Sequence, residues 1–220
     1  MNESALNRLT TFLWNIFCLN LIFVASNIVL IVALLGLVFH PVTLPIYVIA
    51  LFLFILSFQA LLLTLKRSDQ HEEEISVFRL YMITYREEFK SSCIIAACYL
   101  SIAIILLIGY IGIQFVVINH ALFTATYFLL YAILYVHFIF GMLIRINFII
   151  DTKGVLRLGL YCVSKYPVQC LLILGKTLIL GLVIPVIPSL LFLGIIPIFA
   201  YSLIRMTKSV FEEVKVVLKL

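Results

Sequence analysis

The amino-acid sequence predicts an all-α, polytopic membrane protein, with six transmembrane helices paired into three hairpins and amphipathic helices on the cytoplasmic side. Three observations carry this. Hydrophobic residues make up 65% of the 220, and mean hydropathy is +1.26. A soluble domain is about 45–50% apolar, so the chain holds more apolar surface than a water-surrounded core of its size can hide. The apolar residues also form runs of about the 20 residues that cross a bilayer as a helix. Finally, the charges punctuate those runs. Of 15 lysines and arginines, all but Lys176 fall in four groups: Arg8; Lys66, Arg67, Arg79, Arg86 and Lys90; Arg145, Lys153, Arg157 and Lys165; and Arg205, Lys208, Lys215 and Lys219. The turns between successive groups, at His40-Pro41, Asn119-His120 and Pro185 to Pro188, carry no acid, lysine or arginine. Cytoplasmic loops hold the Lys/Arg excess of a membrane protein. The charged groups are therefore assigned to the inside of the plasma membrane, with both chain ends cytoplasmic.

One integral membrane domain over residues 1–220 is expected, with spans at Phe12–Phe39, Leu44–Leu65, Ser91–Ile118, Leu122–Phe148, Pro167–Ile184 and Ser189–Ile204. Met1 to Thr11 has no cleavable signal pattern, and the apolar run after it is too long for a signal core, so it stays as the first span. Pro41 and Pro45 bracket the first external turn, Pro185 and Pro188 the third, as helix stops and starts. The first, third and fourth spans exceed a perpendicular crossing and are expected to tilt or project into the cytoplasm. Pro197, inside the sixth, is expected to kink it. Five cysteines, with no Cys-x-x-Cys and none near an external turn, read as packing residues and not as a disulfide framework.

The best-patterned cytoplasmic segment is residues 75–90. Ile75, Phe78, Met82, Tyr85 and Phe89 follow 3-4-3-4 spacing and share one helix face, with Arg79 and Arg86 beside it. Asp69, Glu72, Glu73 and Glu74 precede it and favour a helix start. Two readings stand: an amphipathic helix on the inner leaflet or packed under the bundle, and a docking face for a partner. Arg-Leu recurs before each hairpin, at Arg8, Arg79 and Arg157, with spacings of 71 and 78 residues. A worn threefold repeat and a chance recurrence among leucine-rich segments both fit.

Few polar residues interrupt the spans. Lys176 lies deep in the fifth; an intramembrane cation is costly and marks either function or a snorkelling stem. Gly175-Lys176-Thr177 resembles the end of a phosphate-binding loop, but Cys170 stands where the opening glycine belongs, so direct nucleotide binding is rejected. His137 is a lone histidine mid-span, suited to a helix–helix hydrogen bond and not to a metal. Gln59 and Gln114 fit the same role. Asn20 and Asn27, seven apart, mark one face of the first span, directed into the bundle or at another protein. All ten acidic residues fall in cytoplasmic segments, which argues against an ion-coupled carrier and an intramembrane aspartyl protease. No catalytic constellation is visible, and no enzyme activity, cofactor or metal is expected. The basic balance is explained by topology and anionic lipid; nucleic-acid binding is not expected.

Phe12-Leu13-Trp14 followed by Leu19-Asn20-Leu21, then Phe78-Arg79-Leu80 with Phe89-Lys90, and the stretch from Val155 to Pro167 together resemble the bacterial YesL-like family, domain of unknown function 624. The turn from His40 to Pro45 departs from it, lacking the family's small-residue run. The resemblance implies a Gram-positive membrane protein that accompanies carbohydrate ABC importers. Such importers' permease subunits carry a Glu-Ala-Ala-type cytoplasmic loop, which this chain lacks, so it resembles a companion of the permease. The expected function is an accessory subunit binding importer permease subunits within the lipid bilayer. Its docking candidates are Ile75, Phe78, Arg79, Met82, Tyr85, Arg86, Phe89, Asn20 and Asn27. The alternative is a small independent transporter or channel, with Lys176, His137 and Gln114 lining a polar path.

Overall fold

A computed structural model describes residues 3–38, 40, 42–70, 76–114, 120–191 and 193–218. Helix α1 runs Glu3–Ser26, α2 Ile28–Gly36, α3 Leu44–Gln70, α4 Val77–Gln114, α5 His120–Asn147, α6 Thr152–Lys165 and α7 Pro167–Val186; a 3₁₀ turn at Pro188–Leu191 leads to α8, Ile195–Leu218. Among the described residues there is no strand. Four helices, α3, α4, α5 and α7, are long and apolar enough to cross a membrane, and α1 with α2 makes a fifth if the pair is one bent span. Helix α8 is not among them, because the 18 residues from Ile195 already include Arg205, Lys208 and Glu212.

Three features differ from the expectation. The first span is not one helix from Phe12 to Phe39: it starts at Glu3, bends by 63° at Asn27 and ends at Gly36, and Phe39 lies outside the described residues. Ser26 Oγ donates to the carbonyl of Ile22 at 2.9 Å, and Asn27 Nδ2 to that of Phe23 at 2.8 Å. Side chains that bond the carbonyl four residues back compete with the helix ladder and bend it. The expected cytoplasmic helix and the third span are one helix of 38 residues, since Lys90-Ser91-Ser92 contains neither proline nor glycine to stop it. At 1.5 Å per residue α4 is about 57 Å long, nearly twice a hydrocarbon core of about 30 Å. The sixth span and the tail are likewise one helix. It begins at Ile195, so Pro197 sits in its first turn, where a missing N–H costs nothing, and causes no interior kink. Gly194 enters this helix at φ +99°, and a Cβ there would stand 3.0 Å from Ile16 Cγ2, so this tight approach of chain to α1 requires glycine.

The core centres on α3 and α5, through Phe58, Leu61, Leu62, Phe140, Leu143 and Ile144. Helix α7 is peripheral and exposes Leu171, Leu172, Leu178, Ile179 and Leu182. In lipid such exposure costs nothing, and helices associate through close packing and interhelical hydrogen bonds instead. The close packing is visible at Gly141, where a Cβ would meet Tyr99 Oη at 2.6 Å.

Candidate functional site

The charged groups that the sequence scatters over 150 residues meet at one end of the bundle. Lys66 Nζ, at the end of α3, donates to the Ile146 carbonyl in the last turn of α5 at 2.6 Å, where a cation also complements the helix dipole. Arg67 pairs with Glu87 of α4 at 2.8 Å, Arg145 of α5 with Glu88 at 3.4 Å, and Lys165 of α6 with Glu213 of α8 at 2.7 Å. The bond to Glu213, foremost, holds the Lys165 ammonium above its usual pKa, and the same bond holds the Glu213 carboxyl below the usual carboxylate range. Beneath them Phe148 meets Phe211 edge-on at 5.9 Å, and Val210 and Val214 are buried.

On α4 the predicted stripe points outward. Phe78, Met82 and Phe89 are exposed, Tyr85 is partly covered, and Arg79 and Arg86 are exposed beside them; Ile75 lies outside the described residues. The opposite face is buried through Tyr81, Thr84, Ser92 and Ile95, and Tyr81 Oη donates to the Ser57 carbonyl at 3.3 Å. The stripe is therefore not packed under the bundle.

Asn20 and Asn27 are inside. Asn20 Nδ2 donates to the Leu191 carbonyl at 2.7 Å, tying α1 to the 3₁₀ turn, while its buried Oδ1 has no partner among the described residues. Asn27 Nδ2 lies 2.7 Å from Ser57 Oγ, which returns a bond to Asn27 Oδ1 at 3.0 Å. Of the two directions open to these amides, the bundle interior is where they lie, so neither is on a lateral docking surface.

His137 joins three helices. Its Nε2 is 3.0 Å from the Leu156 carbonyl of α6, so Nε2 carries the hydrogen; its Nδ1 then accepts from Tyr99 Oη of α4 at 2.7 Å. Lys176 faces α8, at 3.3 Å from Ser202 Oγ and 3.5 Å from its carbonyl. Gln59 is buried and donates to the Met142 carbonyl at 3.4 Å. Gln114 ends α4. His137 and Lys176 thus occupy different helix interfaces.

Helix α6 occupies the basic stretch around Arg157, which the sequence offers only as one interfacial unit of a worn repeat, without bounds. Asp151 Oδ1 caps it by accepting from Gly154 N at 3.0 Å. It buries Val155, Gly159 and Cys162, and burial, with Cys170 nearby, pushes the Cys162 thiol up to about 12. A cleft of about 350 Å³ at the charged end, between α3 and α8, escaped the sequence reading. Arg205, Lys208, Glu212 and Lys215 follow 3-4-3 spacing on one face of α8, a visible signal; that Lys66 opposes them was not visible. Among the described residues no three His, Cys, Asp or Glu side chains are grouped to hold a metal.

No curated protein and no solved structure matches the chain. Residues 16–110, less than half of the chain, match the family described as Protein of unknown function, DUF624.

Proposed function

We propose that the chain is an accessory membrane subunit, with an assembly, stabilising or regulatory role, of a bacterial carbohydrate ABC importer. It sits in the plasma membrane with both ends inside the cell. Six crossings follow if α1 and α2 form one bent span and α8 returns from Pro188–Leu191 to the charged end. The lysines and arginines in the second half of α8 then reach the inner interface by snorkelling. The observation that carries the accessory role is the projecting half of α4. Phe78, Met82 and Phe89 make an outward apolar stripe flanked on one side by Arg79 and Arg86, the form in which a helix lies in a partner's groove. The importer as partner rests on the family resemblance.

An independent transporter needs a polar path. His137 spends both ring nitrogens on helix packing, Lys176 lies at another interface, and neither described cleft is lined by them. That favours the accessory reading. The test is purification from the native membrane in mild detergent. Stoichiometric recovery of permease subunits, lost in a Phe78→Ala/Met82→Ala/Phe89→Ala variant, is the expected result. A protein that elutes alone, takes up sugar in liposomes and loses uptake in Lys176→Ala would replace this reading with the transporter.

A further inference from the structure

The cleft at the charged end is built from three helices and is strongly cationic. Lys66 of α3 stands on one wall, and Arg205, Lys208 and Lys215 of α8 on the other, with Glu212 the one carboxylate among the described residues that line it. Lys66 is half-buried and fixed by its bond to the Ile146 carbonyl; an ammonium has three donors, so two N–H groups remain for a ligand. Arg205 is stacked on Tyr201, its guanidinium 5.1 Å from the ring centre, with Nε donating to Tyr201 Oη at 2.8 Å. Lys208 and Lys215 make no ion pair or hydrogen bond with a described residue. The floor is apolar, from Leu65, Ile204 and Phe211. Like charges gathered around a concavity repel one another, and an anion seated among them removes that cost.

We propose that this cleft binds one phosphate-bearing anion. Four cations converging from two walls match a group that presents several charged oxygens, and about 350 Å³ is within the size range of small-molecule sites. The apolar floor suits the carbon skeleton attached to the phosphate. A lipid headgroup and a free organic phosphate share this chemistry, and basic pockets between helices on the cytoplasmic side take anionic headgroups. The proposal does not depend on the importer partnership, since it concerns other residues than the α4 stripe and a ligand instead of a protein.

The test is a native mass-spectrometry titration of the purified chain in detergent. The probes are phosphatidylglycerol, phosphatidylcholine and glycerol 3-phosphate. One phosphatidylglycerol is expected to bind in preference to phosphatidylcholine. Lys208→Gln/Lys215→Gln, which alters two exposed side chains, is expected to weaken that affinity about 30-fold, while Lys153→Gln/Arg157→Gln on α6, with the same loss of charge, leaves it unchanged. Glu212→Gln is expected to tighten it. Binding of glycerol 3-phosphate with the same dependence on Lys208 and Lys215 means the phosphate alone is recognised; binding of phosphatidylglycerol only means the source is lipid. The proposal is overturned if neither anion binds, if the cleft and α6 variants weaken binding equally, or if Glu212→Gln weakens it.

Discussion

Residues 77–114 and residues 152–186 have the same layout in the sequence, an amphipathic basic stretch followed by an apolar run, yet the first folds as one helix and the second as two. The difference is Pro167. It lacks an N–H and crowds the residue before it, and Tyr166 accordingly leaves the helical region, at φ −119° and ψ 62°. Helix α6 therefore turns back and spends its inner face on α5, through Val155, Gly159, Cys162 and the Leu156 carbonyl held by His137. Helix α4 has no such break and carries its amphipathic half straight on, with Phe78, Met82 and Phe89 uncovered. One basic stretch is thus part of the molecule's own packing, and the other keeps its apolar stripe uncovered.

Proline placement should break the comparison most strongly. Lys90→Pro puts into α4 the feature that separates α6 from α7, removes an interior helix bond and is expected to cost about 3 kcal/mol or more, read as lower thermal stability in detergent. Gly159→Val is next: even a Cβ at this position lies 3.0 Å from His137 Nε2, so the larger side chain should wedge α6 off α5 at about 1–3 kcal/mol. A control at the other region sharpens the contrast. Phe78→Ala and Met82→Ala, on the exposed stripe, should change stability by less than about 0.5 kcal/mol. Cys162 reports on the same α6 contact without a stability measurement. With the thiol pushed to about 12 by burial, it should resist alkylation at pH 8 in the folded protein and react once α6 is displaced by Gly159→Val.

The smallest effect should come from acid. Glu213 has its carboxyl pKa lowered by Lys165, so the pair's contribution is present above the ordinary carboxylate pKa and is lost as pH falls through the lowered one. The pair is exposed and its contribution small. A Glu213→Gln variant should therefore match the parent at low pH and fall only slightly below it at pH 7.

Much of this was legible in the sequence, for reasons that can be named. Charge grouping located one end of the bundle, because Lys66, Arg67, Arg145 and Lys165 do meet there through Ile146, Glu87, Glu88 and Glu213. Apolar runs located the long helices. What periodicity could not tell was whether adjoining helical stretches fuse. Lys90-Ser91-Ser92 reads as a membrane boundary by polarity but is no boundary for backbone hydrogen bonds. Asn27 was legible as a polar mark on one face, whereas its bond to the Phe23 carbonyl, which helps bend the helix, depends on a rotamer. The cleft needed tertiary structure: the four α8 residues share a face by spacing, but Lys66 lies more than 130 positions earlier in the chain.

The most direct measurement is substituted-cysteine labelling in intact cells, in a chain whose five native cysteines are replaced. Val42 and Phe78 are both exposed and lie at the uncharged first turn and on the projecting half of α4. A membrane-impermeant maleimide should label Val42→Cys in intact cells and Phe78→Cys only after permeabilisation. Labelling of Phe78→Cys in intact cells, with Val42→Cys protected, would place the charged end outside and contradict the account.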